Sequence, residues 1–388
     1  MKKFPALRSF RLENFKAVRD SGTIKFTPLT VFIGNNGSGK SSIIEGLETF
    51  QTVVEQGLDS AMEQWRGFEH IRHQGVPHRL RETLKPRRSH YTNPIAFDLQ
   101  GSTRTGIFSA KMQVNTGPGG NELFIQQETL TSQAQTIERN DKGEVSPRKK
   151  SRPLPLADGE SIFGYFLDEL VSEFIFGWQF VSLIAQVMGE PMPQKRTGGP
   201  TRLAKDGSNI AEYLLSIRKL DQNVFDGIVE TLQYILPYAR DLQPALTSEL
   251  ERTVYLQMTE GEFKVPGWLL STGTLRIVAL LALLRHSTLP PLIVIEEIEN
   301  GLDPRTIHLL VDEVRNAIES GRTQVILTTH SPYLLDLLDL SQIVLVDRVN
   351  GEPTFTRPAD RESLQEWGKD FSPGRLYTMD LLRRKAEA

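Results

Sequence analysis

The chain has 388 residues, 39% of them hydrophobic and 24% charged, with a formal charge of −3 at pH 7. That is an ordinary globular composition, enough for one large or two ordinary domains, and so small a net charge confines any nucleic-acid contact to local basic patches. Cysteine is absent, which rules out disulfides, thiolate zinc sites and cysteine nucleophiles and leaves any metal to oxygen ligands.

Residues 1–15 alternate basic and apolar side chains and carry no secretory leader pattern, so the cytoplasm is the expected compartment. Residues 7–15 alternate as a strand, 23–26 read as its hairpin partner, and 29–33 form a short buried strand. That strand runs into Gly34-Asn35-Asn36-Gly37-Ser38-Gly39-Lys40-Ser41, followed by Ser42 and by Ile43, Ile44, Leu47 and Phe50 at helical spacing. A G-x-x-x-x-G-K-[ST] loop between strand and helix is the context in which the motif cradles phosphates. Its glycines let backbone amides turn inward around the β-phosphate, Lys40 adds charge, and Ser41 offers a hydroxyl to magnesium. The chain is therefore expected to bind a nucleoside triphosphate.

Residues 66–90 carry seven Lys/Arg against two Glu, and 138–153 six against three acids; these are the two basic patches, and Arg79 to Arg88 and Arg148 to Arg152 are the places where DNA phosphates would be met. Residues 95–99, 106–114 and 122–130 predict a small antiparallel meander, and the polar, proline-containing stretch 135–156 a mobile loop. Residues 162–187 place Phe166, Leu170, Phe174 and Trp178 at a four-residue interval, broken by Asp168, Glu169 and Glu173, and so predict an amphipathic helix rather than a membrane span. Helices over 210–219 and 224–236 complete a helical insertion, and 252–258 with 261–265 read as a hairpin.

Residues 269–276, Leu-Leu-Ser-Thr-Gly-Thr-Leu-Arg, precede an apolar helix over 277–284, so Ser271 and Gly273 lie at a helix start: an N-cap, or an anion site with no anion of its own subunit to hold. Residues 292–295 form an apolar strand that presents Glu296 and Glu297 at its end. Beside a phosphate loop the first carboxylate would organise magnesium and the second polarise the attacking water. A further strand, 324–327, ends in Thr328-Thr329-His330-Ser331-Pro332, which would put His330 at the same sheet edge, within reach of a γ-phosphate.

In this order the pieces resemble the ABC-type ATPase heads of the RecF, SMC and OLD-like group, in particular the compact bacterial AAA-family ATP-binding proteins. The likeness spans nearly the whole chain. It rests on Leu12-Glu13-Asn14-Phe15-Lys16, the loop at 34–41 (Walker A), Asp206-Gly207-Ser208-Asn209-Ile210, the signature at 270–276, the acidic strand with Glu299-Asn300-Gly301-Leu302-Asp303-Pro304, and Thr329-His330-Ser331-Pro332.

The resemblance implies an α/β P-loop NTPase of ABC-head type, a mixed sheet with an antiparallel β lobe and a helical insertion. It implies one ATPase domain over 1–388: an N-terminal lobe at 1–134, a mobile basic loop and helical insertion at 135–250, a lobe with signature, acidic strand and histidine at 251–350, and a C-terminal extension at 351–388. The implied ligands are ATP and Mg2+, held by Asn35, Asn36, Gly37, Ser38, Gly39, Lys40, Ser41 and Ser42. Ser41 and Glu296 would organise the metal, Glu297 would be the base, and His330 the γ-phosphate sensor. Ser271 and Gly273 would act in trans, across a homodimer or larger homo-oligomer in which two heads sandwich two nucleotides and Asn300 to Asp303 crosses the interface.

The sequence departs from the pattern in having Glu296 where many relatives have Asp, which suggests slow hydrolysis. The glutamine loop has no clear match beyond Gln74 and Gln100. The expected activity is ATP hydrolysis that drives a conformational cycle in DNA-associated anti-phage defence or repair, with a nuclease or toxin as a separate effector. The alternative is an ATP-dependent dimerisation switch with negligible turnover that holds a protein partner. Neither involves a membrane.

Overall fold

The structure, a computed structural model, describes residues 5–75, 80–81, 90–117, 120, 122–133, 135–140, 143–146, 154–194, 202–247 and 251–383. The described residues form two compact units, one within Met1–Trp178 and Asp339–Ala388, the other within Gln179–Leu338.

In the first unit, a nine-stranded sheet is built on the strand Ala6–Phe15, which pairs antiparallel with Val18–Asp20, Ile24–Lys25 and Ile95–Thr103. The expected meander follows as Ile95–Thr103, Gly106–Thr116 and Leu123–Thr131. Residues 135–156 differ from the expected loop: Thr136–Arg139 pairs with Leu123–Thr131, and Glu144–Ser146 with Thr136–Arg139. The reason lies in alternation, since Ile137 and Arg139 are buried while Thr136 and Glu138 face out. Local composition hid a strand whose two inward side chains, Ile137 and Arg139, include an arginine.

Arg139 is held by backbone carbonyls, its guanidinium donating to Ala157 O at 3.1 Å and Glu160 O at 2.6 Å. Beside it, the buried Glu128 carboxylate accepts from Ser161 Oγ at 2.5 Å and Ile162 N at 3.0 Å, with Arg139 Nε 3.6 Å away. Burial pushes the Glu128 carboxyl up to about 7, against the opposing pull of those hydrogen bonds and of Arg139. The cluster ties the sheet to the turn that starts the helix Phe163–Phe166.

A second set of strands in this unit is mixed: Leu29–Ile33 runs parallel to Ile343–Val349, which pairs antiparallel with Glu352–Thr356. All five residues of Leu29–Ile33 are buried, as expected of a strand covered on both faces. The helix Lys40–Gln56 follows the phosphate loop and turns Phe50 towards Phe97, Phe163 and Trp178, with ring centroids 6.0, 5.8 and 6.5 Å away. Each fully buried ring of this kind contributes about 2–3 kcal/mol. Gly46 lets the helix approach the sheet, since a Cβ there would lie 2.5 Å from the Leu12 side chain.

The single helix expected over 162–187 is instead two short helices, Phe163–Phe166 and Glu169–Phe176, then a strand, Gln179–Val181, and a helix, Ala185–Met188. Asp168 is the cause of the first break, because its extended backbone leaves the helix and its Oδ1 caps the next one through Val171 N at 2.9 Å. Gly177 ends that second helix.

In the second unit, Gln179–Val181, Leu292–Ile295 and Gln324–Thr329 are consecutive parallel strands. A small antiparallel sheet contains the expected hairpin, Thr253–Glu260 with Phe263–Pro266, and also Ala239–Leu246. Helices Ile210–Leu220 and Gln222–Ile235 lie where periodicity puts them. Among the described residues no helix is long and apolar enough to cross a membrane.

Candidate functional site

The candidate functional residues fall into two constellations, one in each unit. In the first unit, the buried strand Leu29–Ile33 delivers the chain to Gly34, where a Cβ would lie 2.1 Å from Val346 O and 2.8 Å from Ser38 Oγ. Only glycine fits there. Gly37 and Gly39 have φ of +73° and +114°, the left-handed region that glycine enters without strain. The helix Lys40–Gln56 starts with no side-chain cap and no acid in its first turn, so its first amides are open to an anion.

Lys40 is buried, and its ammonium is turned back on the loop, donating to Gly34 O at 2.7 Å and Asn35 O at 3.1 Å. Ser38 Oγ is buried with no hydrogen-bond partner among the described residues. An uncapped helix start, an unsatisfied hydroxyl and a lysine folded onto its own loop are what a phosphate chain would satisfy, so these residues fit the triphosphate expected of them. Asn35, Asn36 and Ser41 are exposed beside them, and Ser42 is buried.

In the second unit, Glu296 continues the strand ladder, its N–H donating to Val181 O at 2.9 Å. The chain then turns sharply: Glu297 has φ +48°, a conformation that costs a non-glycine residue about 1 kcal/mol or more. The turn is fixed by Thr328, whose Oγ1 accepts from Glu297 N at 2.9 Å. The Glu297 carboxylate accepts from Asn300 Nδ2 at 3.1 Å, and its other oxygen lies 3.6 Å from His330 Nε2. The two residues expected to act on a γ-phosphate are thus brought together.

Three residues that sequence reasoning gave no role of their own hold this arrangement. Glu299 accepts the backbone N–H of His330 at 2.5 Å, while its second oxygen is buried without a partner among the described residues. Arg276 donates to Leu183 O at 2.7 Å and to Glu297 O at 3.4 Å; burial depresses its pKa against the opposing charges of Glu297 and Glu299. Thr328 is the third. Only their positions next to the acidic pair, the histidine and the signature could have flagged them.

Ser271 is the N-cap of the helix Thr272–Leu284, its Oγ accepting from Thr274 N at 3.1 Å. Gly273 has a local reason to be glycine, because a Cβ there would lie 2.7 Å from Gly301 O. Asp303 likewise caps the helix Pro304–Glu319 through Arg305 N and Thr306 N, and the Thr306 hydroxyl holds its carboxyl below the usual range. Asp206, at the start of the stretch Asp206 to Ile210, and Lys205 before it steady the chain after Gln179–Val181: Ser182 N donates to Lys205 O at 2.8 Å and Ile184 N to Asp206 O at 2.9 Å.

Gln74 donates to Glu69 O and Arg72 O. Arg148 to Arg152, and Arg79 to Arg88 apart from residues 80–81, lie outside the described residues.

Solved SMC heads share the fold. The head bound to the C-winged helix domain of ScpA is 14% identical over 90% of this chain and 96% of that one, with a TM-score of 0.56. The Pyrococcus furiosus head, with an extended coiled coil and bound to the C-terminal domain of ScpA, is 12% identical over 94% and 100%, with a TM-score of 0.57. The Pyrococcus yayanosii head with a coiled coil and joint is 10% identical over 94% and 100%, with a TM-score of 0.52. No curated protein matches the sequence. The shared fold supports the resemblance to ABC-type ATPase heads of the RecF, SMC and OLD-like group, and the family model described as "AAA domain, putative AbiEii toxin, Type IV TA system" matches residues 29–336, so the chain belongs to that family.

Proposed function

We propose that the chain binds magnesium-ATP at the phosphate loop, hydrolyses it slowly, and uses it to join two heads that act on a separate protein. The observation that carries this reading is the loop itself: Ser38 Oγ without a partner among the described residues, Lys40 folded back on Gly34 and Asn35, and a helix start with no side-chain cap. In the bound state Lys40 holds the β- and γ-phosphates, and the amides around Asn36 to Ser42 surround the β-phosphate.

Magnesium, when bound, neutralises phosphate charge. Ser41 and Glu296 supply a hydroxyl and a carboxylate, and so few protein ligands suit a metal that keeps waters and takes phosphate oxygens. Glu297 orients and deprotonates the attacking water, and His330 contacts the γ-phosphate. Ser271 and Gly273 face the phosphates of the opposing head.

The family description, and the ScpA-bound state of a head with the same fold, support a protein partner and a place in defence. A switch with negligible turnover is the second reading. It is favoured by Glu297, whose two oxygens already face Asn300 and His330. Phosphate release under magnesium-ATP separates the readings. Release that is abolished in Glu297→Gln supports hydrolysis, whereas tight nucleotide binding without release supports the switch.

A further inference from the structure

The strand Ile343–Val349 and the C-terminal extension that follows it, which the sequence left without a role, hold the phosphate loop from outside. Arg348 Nε donates to Gly37 O at 2.9 Å, while its Nη1 donates to Gly351 O at 3.0 Å within the hairpin. Pro353 covers Gly39 so closely that a Cβ on the glycine would lie 2.9 Å from the proline ring. Tyr377, on the helix Pro373–Thr378, donates its hydroxyl to Asn35 Oδ1 at 3.3 Å. Arg383 joins the hairpin to the turn that follows this helix, its Nε lying 3.0 Å from both Asp347 and Asp380. These contacts link residues more than 300 positions apart to the start, crest and end of one loop.

The Arg348 bond acts on loop geometry in a definite way. The C=O of Gly37 and the N–H of Ser38 belong to one planar trans peptide and point in opposite directions. Pinning the carbonyl outward on Arg348 turns the Ser38 N–H inward, where it now donates to Asn35 O at 3.1 Å, the same oxygen that receives Lys40. A triphosphate draws Lys40 and the loop amides onto its own oxygens. It therefore rearranges the acceptors at residues 34 and 35, next to the side chain that Tyr377 grips.

From this geometry we infer that Arg348 and Tyr377 are positioning residues for the nucleotide, and that the C-terminal helix is coupled to nucleotide occupancy through them. The inference rests on the nucleotide-binding reading of the loop. The coupling is reciprocal, because a ligand that tightens these contacts is itself held more tightly when they are intact.

The test is equilibrium titration of the full chain with ATP and magnesium, steady-state phosphate release, and hydrogen exchange over residues 374–379. Arg348→Ala is expected to weaken ATP about tenfold and Tyr377→Phe a few-fold, the scale of losing one hydrogen bond with and without a charged donor. KM should rise with kcat little changed, and Arg348→Lys should recover part of the loss, which a purely structural role would not produce. Nucleotide should slow exchange at 374–379 in the wild type and not in Tyr377→Phe.

Wild type that binds ATP while both variants bind equally well and exchange is indifferent to nucleotide would overturn the inference and leave the site reading intact. Wild type that binds no nucleotide would overturn both. A melting temperature without nucleotide that matches wild type shows that each variant is folded.

Discussion

Glu128 makes the stability of the first unit depend on pH in an unusual direction. Its carboxyl titrates at about 7 in the folded chain, above an ordinary value of 4.5, because burial costs its charged form more than Ser161, Ile162 and Arg139 return. Between those two values the folded state binds more protons than the unfolded state, so stability is full below about pH 4.5 and declines as pH rises towards about 7. At roughly 1.4 kcal/mol per pH unit, this one group removes about 2–3 kcal/mol between about pH 5 and about pH 8.

The assay is urea unfolding followed by tryptophan fluorescence at the two pH values, for wild type and Glu128→Gln. Trp178, packed against Phe50 and Phe174 in the same unit, is a suitable reporter. Glutamine keeps the shape but cannot accept from both Ser161 and Ile162, so the variant starts less stable by about 1–3 kcal/mol. Its stability should nevertheless fall by about 2–3 kcal/mol less than that of wild type over the same interval. Parallel declines would refute the reasoning and mean that Glu128 stays ionised against Arg139 throughout.

Three substitutions probe the two constellations. Gly34→Ala should weaken ATP binding at least about a hundredfold in a nucleotide titration, since a Cβ 2.1 Å from Val346 O forces the loop to move by an ångström or more. Ser271→Asp keeps the N-cap but sets a carboxylate at the helix start; it should melt like wild type yet lose ATP-dependent association, and a variant that associates normally would make Ser271 a cap and nothing more. Glu299→Ala removes the acceptor of the His330 N–H, and phosphate release should fall about tenfold with ATP affinity little changed, as expected for a displaced catalytic group.

What the sequence disclosed follows from how local each determinant is. The phosphate loop is legible because residue identity at fixed spacing forces the backbone: Gly34, Gly37 and Gly39 sit where a Cβ collides or φ is positive. Glu296 and Glu297 are legible because a wholly apolar strand ends on them. Gln179–Val181 was hidden inside a four-residue aromatic interval, and only its pairing with Leu292–Ile295 makes it a strand. Arg348 and Tyr377 were invisible for the same reason on a larger scale, since nothing near either residue in sequence indicates a loop 311 or 342 positions away. Ser271 was open between cap and anion site, and a capping hydrogen bond within one head leaves the second role to experiment.

The central claim is that ATP joins two heads and that Glu297 releases them. Its most direct test is the size-resolved mass of wild type and Glu297→Gln, with and without magnesium-ATP. The account predicts that ATP raises the mass of both, that wild type returns to the smaller species as phosphate is released, and that the variant stays assembled. A mass indifferent to ATP, together with normal hydrolysis by Glu297→Gln, would contradict both the shared site and the role of Glu297.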